Sequence, residues 1–321
     1  MKKQTKMWMI AATVLIVLGF MLFISAMTAN HWDFSKISTS NYQTNTYTVD
    51  ETFRNIEIKT DTADIFFLPS EDGICKVICY EKENATHSVS IQNETLTIQI
   101  IDNSDWFHHI GIVVNGSPKI TVYLPENEYA SLFIRESTGD IEIPKEFHFQ
   151  NMDITASTGD IKNYASASED MSITTGTGDI FTENISAKKL YLSVSTGEIH
   201  VKSVICEQNF EINVRTGEAN LTDISCNNLI SKGTTGDIFL INLIASEKIS
   251  IERGTGDINF DGCDANELAL KTSTGDVKGT LLSDKTFAVE SSTGTITVPK
   301  NTVGGKCEIA TDTGDIKINI R

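Results

Sequence analysis

Apolar positions along this chain follow two different periods. From Met7 to Trp32 no side chain is charged, and Trp8 to Ala29 is mostly Ile, Leu, Val, Met and Phe. About 20 apolar residues cross the hydrocarbon core as a helix, so residues 7–29 predict one membrane-spanning segment. Residues 30–48 are polar, rich in Ser, Thr and Asn, and read as a spacer. Beyond them apolar and polar residues alternate with period two, which is the mark of half-buried strands. Residues 49–130 carry such runs at 56–59, 65–68, 76–80, 88–91, 95–101 and 119–124, and they predict an N-terminal β module.

From residue 131 to 321 the alternation is itself repeated. A glycine preceded by threonine recurs at Gly139, Gly159, Gly178, Gly197, Gly217, Gly236, Gly256, Gly275, Gly294 and Gly314, always 19 or 20 residues apart. Nine of these glycines precede an acid: Asp140, Asp160, Asp179, Glu198, Glu218, Asp237, Asp257, Asp276 and Asp315; Thr295 is the exception. A degenerate earlier copy lies at Thr62-Ala63-Asp64-Ile65. Aligned on the glycine, positions seven before, five before, two after and seven after are apolar in nearly every copy, for example Leu190, Leu192, Ile199 and Val204. Position nine after holds small residues, Ala187, Cys206, Cys226, Ala245 and Ala265.

Each copy therefore reads as strand, tight turn, strand and second bend. A unit this short cannot bury its apolar face alone, but stacked copies can. Parallel stacking at ~4.8 Å turns each column into a continuous core ladder, and ten coils extend over ~43 Å. The expected fold is all-β, a right-handed parallel β-helix or β-solenoid of about ten coils, the hand following the parallel crossover rule. A meander of antiparallel hairpins is the rival, and it gives no reason for equivalent positions to match in size. The N-terminal β module is expected to start and cap the stack. The chain ends at Asn319-Ile320-Arg321 without an evident cap, leaving that end to be covered by another chain or by side chains of the last coil.

Charge narrows the partners. The net charge is -17, and Lys2, Lys3 and Lys6 all precede the apolar run. Lysines before the span and Asp33 after it place residues 1–6 inside the cell and the remainder outside, in a single-pass cell-membrane topology. A cleaved signal peptide is the competing reading, although its apolar region is usually shorter. So acidic an exterior repels nucleic acid. Cations, basic proteins and neutral glycans remain. The six cysteines, Cys75, Cys79, Cys206, Cys226, Cys263 and Cys307, lack the paired spacing of a zinc site and read as buried thiols. Cys206 and Cys226 share one column and are the pair to examine for a bond.

The repeated STGDI turns, the segment IEIKTDTADIFFLPSEDG and the run KITVYLPENEYASLFIRESTGDIEI resemble the bacterial adhesin-like family of domain of unknown function 4097, over about residues 50–321. That resemblance implies a parallel β-helix at a bacterial envelope, and it carries no catalytic motif across.

Three groups of residues could carry chemistry. A row of acids, from Asp140 through Asp160, Asp179, Glu198, Glu218, Asp237, Asp257 and Asp276 to Asp315, is a candidate for weak Ca²⁺ binding. It lacks a second acid per coil and matches no known calcium loop, so turn acids that hydrogen-bond backbone amides are the preferred reading, with no cofactor. The loop bearing Trp106, His108 and His109 is a candidate for stacking on a sugar or for binding a metal. The remaining histidines, His87 among them, stand singly in the sequence and suggest nothing. No nucleophile elbow, P-loop or zinc-protease motif is present.

The expectation is a non-enzymatic, membrane-anchored surface solenoid of adhesin-like type. Its acidic face would meet an envelope or extracellular protein or glycan. The alternatives are an envelope stress or regulatory protein acting through a membrane partner, and a glycan-active β-helix enzyme.

Overall fold

The computed structural model describes residues 3–29, 31–32, 42–102, 117–300 and 303–321. The helix α1 runs Lys3–Ala29, and its segment Thr5–Ala29, of mean hydropathy 2.6, is long and apolar enough to cross a membrane. All other elements among the described residues are strands. Strand β1 (Tyr42–Val49) begins inside the stretch expected to be spacer. Its alternation is carried by Thr and Tyr rather than by aliphatics, so it does not register as a strand by hydrophobicity.

The repeat region is a parallel β-solenoid. Leu190, Leu192 and Val194 lie directly beside Phe210, Ile212 and Val214, which lie beside Leu229, Ser231 and Gly233. The columns seven and five before the glycine and two after it are buried throughout, except in the Gly294 coil. Burying each Ile or Leu stabilises by roughly 1.5–3 kcal/mol, and only a stacked neighbour can supply the covering surface. In the column seven residues after the glycine, Leu282 is displaced. A register shift after Asp261 pairs Cys263 with Leu281, so Leu281 is buried and Leu282 is 44% exposed.

The second bend has its own backbone signature. Asn184, Ser203, Asp223 and Asn242, six residues after successive glycines, all take φ between 52° and 57°, and Gly262 follows at 64°. Asn, Asp and Gly tolerate this left-handed conformation best.

The stack begins before the first full repeat. Strands β2 (Asn55–Thr62) and β3 (Asp64–Pro69) pair in parallel with the Gly139 coil, matching Thr62 to Thr138 and Ile65 to Ile141. Strands β4 (Cys75–Lys82), β5 (Ala85–Gln92), β6 (Thr95–Asp102) and β7 (Lys119–Leu124) close that end. β6 and β7 add in parallel to β2 and β3, while β4 and β5 run antiparallel on top of them. The β4–β5 hairpin shares a single ladder pair, Lys82 with Ala85, and then forks. One arm joins β1 and β7, the other joins β6.

The far end departs from chain order. The strand Glu267–Thr274 pairs with Gly305–Thr313, which in turn pairs with Lys285–Thr293. The last coil in sequence is therefore inserted between the Gly275 and Gly294 coils. The Gly294 coil is the outermost, with Phe287 and Val289 only partly buried and Ile296 exposed. Coverage of that end by side chains of the last coil is therefore corrected: the outermost coil is the penultimate one in sequence.

Two coils show how the core handles a misfit charge. Position three before the glycine points inward, and there Arg253 is 2% exposed. Its Nη2 donates to Ser231 Oγ at 3.0 Å, while Nε and Nη1 have no partner among the described residues. Ser231 replaces the aliphatic of its column, and a Cβ on Gly233 would stand 1.6 Å from Arg253 Nη1. The neighbouring coil has thus been hollowed to admit a guanidinium. Burial lowers its pKa to about 10, so it stays charged at neutral pH. Replacing a poorly paired buried charge by a hydrophobe of similar length is often neutral or stabilising. Arg253→Met is expected to keep or raise the denaturation midpoint. A loss above about 1 kcal/mol in urea unfolding would contradict this account of the site.

Candidate functional site

The predicted acids line one edge of the solenoid, and their geometry explains the Thr-Gly-Asp sequence. At every corner but that of the outermost Gly294 coil the glycine N–H donates to the threonine carbonyl of the adjacent coil, as from Gly217 to Thr235 at 3.0 Å. The glycine itself has φ between 119° and 155° and sits on the carbonyl of the glycine in the adjacent coil, or of Ala63 in the case of Gly139. Side-chain oxygens then tie coil to coil. Asp160 N–H donates to Asp140 Oδ1 at 2.9 Å, Asp179 N–H to Asp160 Oδ1 at 2.9 Å, and Glu198 N–H to Asp179 Oδ1 at 2.8 Å. The series resumes from Asp257 to Asp237, Asp276 to Asp257 and Asp315 to Asp276, each at 2.7 Å. Asp64 begins it, accepting from Asp140 N–H at 3.1 Å.

Two departures from aspartate now have reasons. Glu198 and Glu218 do not make this bond; the extra methylene carries the carboxylate outward, where Glu198 meets His200 at 2.9 Å. Thr295 belongs to the outermost coil, whose N–H donates to Asp315 Oδ1 at 2.7 Å. Among the described residues no coil lies beyond it to need a carboxylate.

All ten corner threonines are exposed, and the nine acids are at least partly so. The edge is a row of hydroxyls beside a row of carboxylates, each aspartate having one oxygen engaged by backbone. Removing an acceptor strands one amide at a cost of about 1–3 kcal/mol. Asp257→Ala is therefore expected to lower stability by about 1 kcal/mol, while Asp257→Asn, which keeps Oδ1, should stay within about 0.5 kcal/mol of wild type in the same urea titration.

The loop with Trp106, His108 and His109 lies outside the described residues. All six cysteines are buried and unbridged; Cys206 and Cys226 are ladder neighbours but remain thiols. Burial pushes the thiols up, Cys226 to about 12, so they are inert nucleophiles.

A second cluster was not legible as one in the sequence. At the β4–β5 fork, Cys79 and Glu81 share a face of β4, and His87 approaches from β5. Their sulfur, oxygen and nitrogen atoms all lie within 4.8 Å of one another, and all three residues are buried. His87 Nδ1 is 2.6 Å from Glu81 Oε2, which also accepts the His87 backbone N–H at 2.7 Å. Thr60 Oγ1 is 2.8 Å from His87 Nε2, and Asn45 Nδ2 donates to Glu81 Oε1 at 2.6 Å. His87, read as solitary in the sequence, is the hub of a polar network spanning β1, β2, β4 and β5. Beside Thr60 in the same inward column lies Glu136, whose carboxyl burial raises to about 8. Its Oε1 accepts weakly from Ala63 N–H at 3.4 Å, and Oε2 has no partner among the described residues.

A parallel solenoid with a threonine–carboxylate edge belongs to the class of repeat proteins that offer long, regular faces. The chain belongs to the Toastrack DUF4097 family, whose model matches residues 53–209 and 207–321. Among solved structures it is similar to a proposed adhesin from Bacteroides fragilis, at 18% identity and TM-score 0.39, covering 88% of this chain and 97% of that one. It is also similar to a proposed adhesin from Parabacteroides distasonis, at 12% identity and TM-score 0.49, covering 85% and 98%. A proposed lipid-binding protein from Parabacteroides distasonis matches at 15% identity and TM-score 0.44, covering 87% and 98%. No curated protein matches the chain.

Proposed function

We propose that this chain is a non-enzymatic surface protein of adhesin-like type. The helix Lys3–Ala29 anchors it in the cell membrane with the solenoid outside, and the Thr-Gly-Asp edge contacts an envelope or extracellular protein or glycan. The observation that carries this reading is the register of that edge: ten exposed threonines and nine acids follow one line at ~4.8 Å per step. Such a periodic row suits an extended partner that repeats its contacts, where many weak interactions sum through effective concentration. The bonds between coils hold the carboxylates in place despite their mutual repulsion, so the row is structural and available for contact at once.

Aspartate-to-asparagine changes separate the two roles, because asparagine keeps the acceptor between coils and loses the charge. Cells displaying wild type and the Asp140→Asn/Asp160→Asn/Asp179→Asn variant would be compared for attachment to arrays of glycans and of basic envelope proteins. Attachment by wild type and its loss in an equally displayed variant is the expected result. Equal attachment by both would remove the edge from the proposal. Protease treatment of intact cells should shave off the solenoid, and protection of it would refute the topology.

A further inference from the structure

The network at the β4–β5 fork contains more ligand chemistry than a structural hydrogen-bond cluster requires. We infer that Cys79, Glu81 and His87 form a binding site for one divalent transition-metal ion of the zinc class, which clamps the fork at the N-terminal end of the solenoid. This inference is independent of what the Thr-Gly-Asp edge binds.

Sulfur, imidazole nitrogen and carboxylate oxygen are the three donor types of protein zinc sites, and this mixture disfavours calcium and magnesium, which take oxygen. The donors come from residues that are 0%, 1% and 3% exposed for Cys79, Glu81 and His87, so their convergence is built by the fold and not by chance on a surface. Alternation along β4 puts Cys79 and Glu81 on one face two residues apart, and the forked hairpin brings His87 over them. The surroundings of a metal site are also present. A ligating histidine ordinarily uses its second nitrogen to donate to a fixed acceptor, and Thr60 Oγ1 stands 2.8 Å from His87 Nε2. A ligating carboxylate is ordinarily hydrogen-bonded in turn, and Asn45 Nδ2 reaches Glu81 Oε1 at 2.6 Å.

The ion would enter between His87 Nδ1 and Glu81 Oε2. Tetrahedral bonds of ~2.0 Å set those atoms ~3.3 Å apart, so the present 2.6 Å separation opens by a fraction of an ångström. Binding releases the Cys79 thiol proton to solvent and moves the imidazole proton from Nδ1, where it now bridges to Glu81, to Nε2, from which it is donated to Thr60 Oγ1. A water completes the fourth position. The ion ties the two arms of the hairpin at the point where they part into different sheets.

The test uses the full chain in detergent micelles with Co²⁺ alone, then Zn²⁺ alone. The expected result is a sulfur-to-cobalt charge-transfer band that saturates at one ion per chain, with about one proton released per ion. Zn²⁺ should abolish the band by competition and raise the denaturation midpoint. Cys79→Ser, checked for folding by circular dichroism, should lose the band and bind at least tenfold more weakly, while Cys75→Ser keeps both. If Cys79→Ser does not fold, His87→Gln is the second variant and carries the same expectation. No charge-transfer band at saturating Co²⁺, or a band that survives in the folded ligand variant, overturns the site and leaves a metal-free hydrogen-bond network there.

Discussion

Gly217→Ala is expected to prevent folding of the repeat region or to lower its stability by more than about 4 kcal/mol, a size reached only by specific mechanisms. Two act together here. The residue has φ of 133°, which side-chain-bearing residues adopt at a cost of about 1–3 kcal/mol. In addition, a Cβ at that position would lie 1.9 Å from the Gly197 carbonyl oxygen. Neither atom can yield, because both belong to backbone in the ladder and coil spacing is fixed on either side. Relief requires prying two coils apart and surrendering the corner bonds from Gly197 to Thr216 and from Gly217 to Thr235. Ser203→Gly, at the second bend, provides the contrast. That residue holds φ of 54° without such a contact, so glycine there should be neutral or mildly stabilising in the same denaturation assay.

The second large effect depends on pH and centres on Glu136. Burial is the main cause that raises its carboxyl from the ordinary 4.5 to about 8, with Asp64 and Asp140 adding to it against the Ala63 amide. The folded state therefore holds a proton that the unfolded state releases above about pH 4.5. The stability contributed by the neutral carboxyl is fully present below that pH and is lost as pH rises through 8. Integrated over the interval, the loss is on the order of 5 kcal/mol. Glu136→Gln keeps the shape and removes the proton equilibrium. Urea unfolding of both proteins at pH 5 and at pH 9 should show the difference between them growing in favour of glutamine at pH 9. A constant difference would mean that Glu136 is ionised or solvated at neutral pH.

Much of the architecture was legible because this fold repeats its instructions. The Thr-Gly-Asp corners and the apolar columns recur at fixed offsets, and stacked copies make equivalent residues neighbours. The early copy at Thr62–Ile65 was legible for the same reason, and it does form the coil beneath Gly139. The inward column three before the glycine was not, because its occupants include Glu136, Ala156, Val214, Gly233 and Arg253, with no shared chemistry. Its members make sense only in spatial pairs, such as Gly233 yielding to Arg253. Coil order at the far end was hidden too, since the spacing from Gly294 to Gly314 is an ordinary 20 residues. The signal was Thr295, the one corner without an acid. It marks the coil with no neighbour beyond it among the described residues.

The candidate site divides in the same way. The acid row was visible in sequence, but its purpose depends on bonds between coils that no single copy contains. The Cys79–Glu81–His87 cluster was invisible, because His87 reaches Glu81 across a hairpin that opens after one ladder pair, and Thr60 arrives from a strand 27 residues earlier. Sequence spacing alone gives no sign that these strands meet over the end of a stack.

Coil order at the far end tests the account most directly, because the Asp-to-amide chain, the Thr295 exception and the exposed Gly294 coil all depend on it. Exposed corner threonines allow it to be read by cysteine pairs under mild oxidation, with adjacent coils ~4.8 Å apart and alternate coils about twice that, beyond reach of a disulfide. Thr274→Cys with Thr313→Cys should cross-link, as should Thr293→Cys with Thr313→Cys, whereas Thr274→Cys with Thr293→Cys should not. Ready cross-linking of the Thr274 and Thr293 positions would place the coils in chain order and contradict the account.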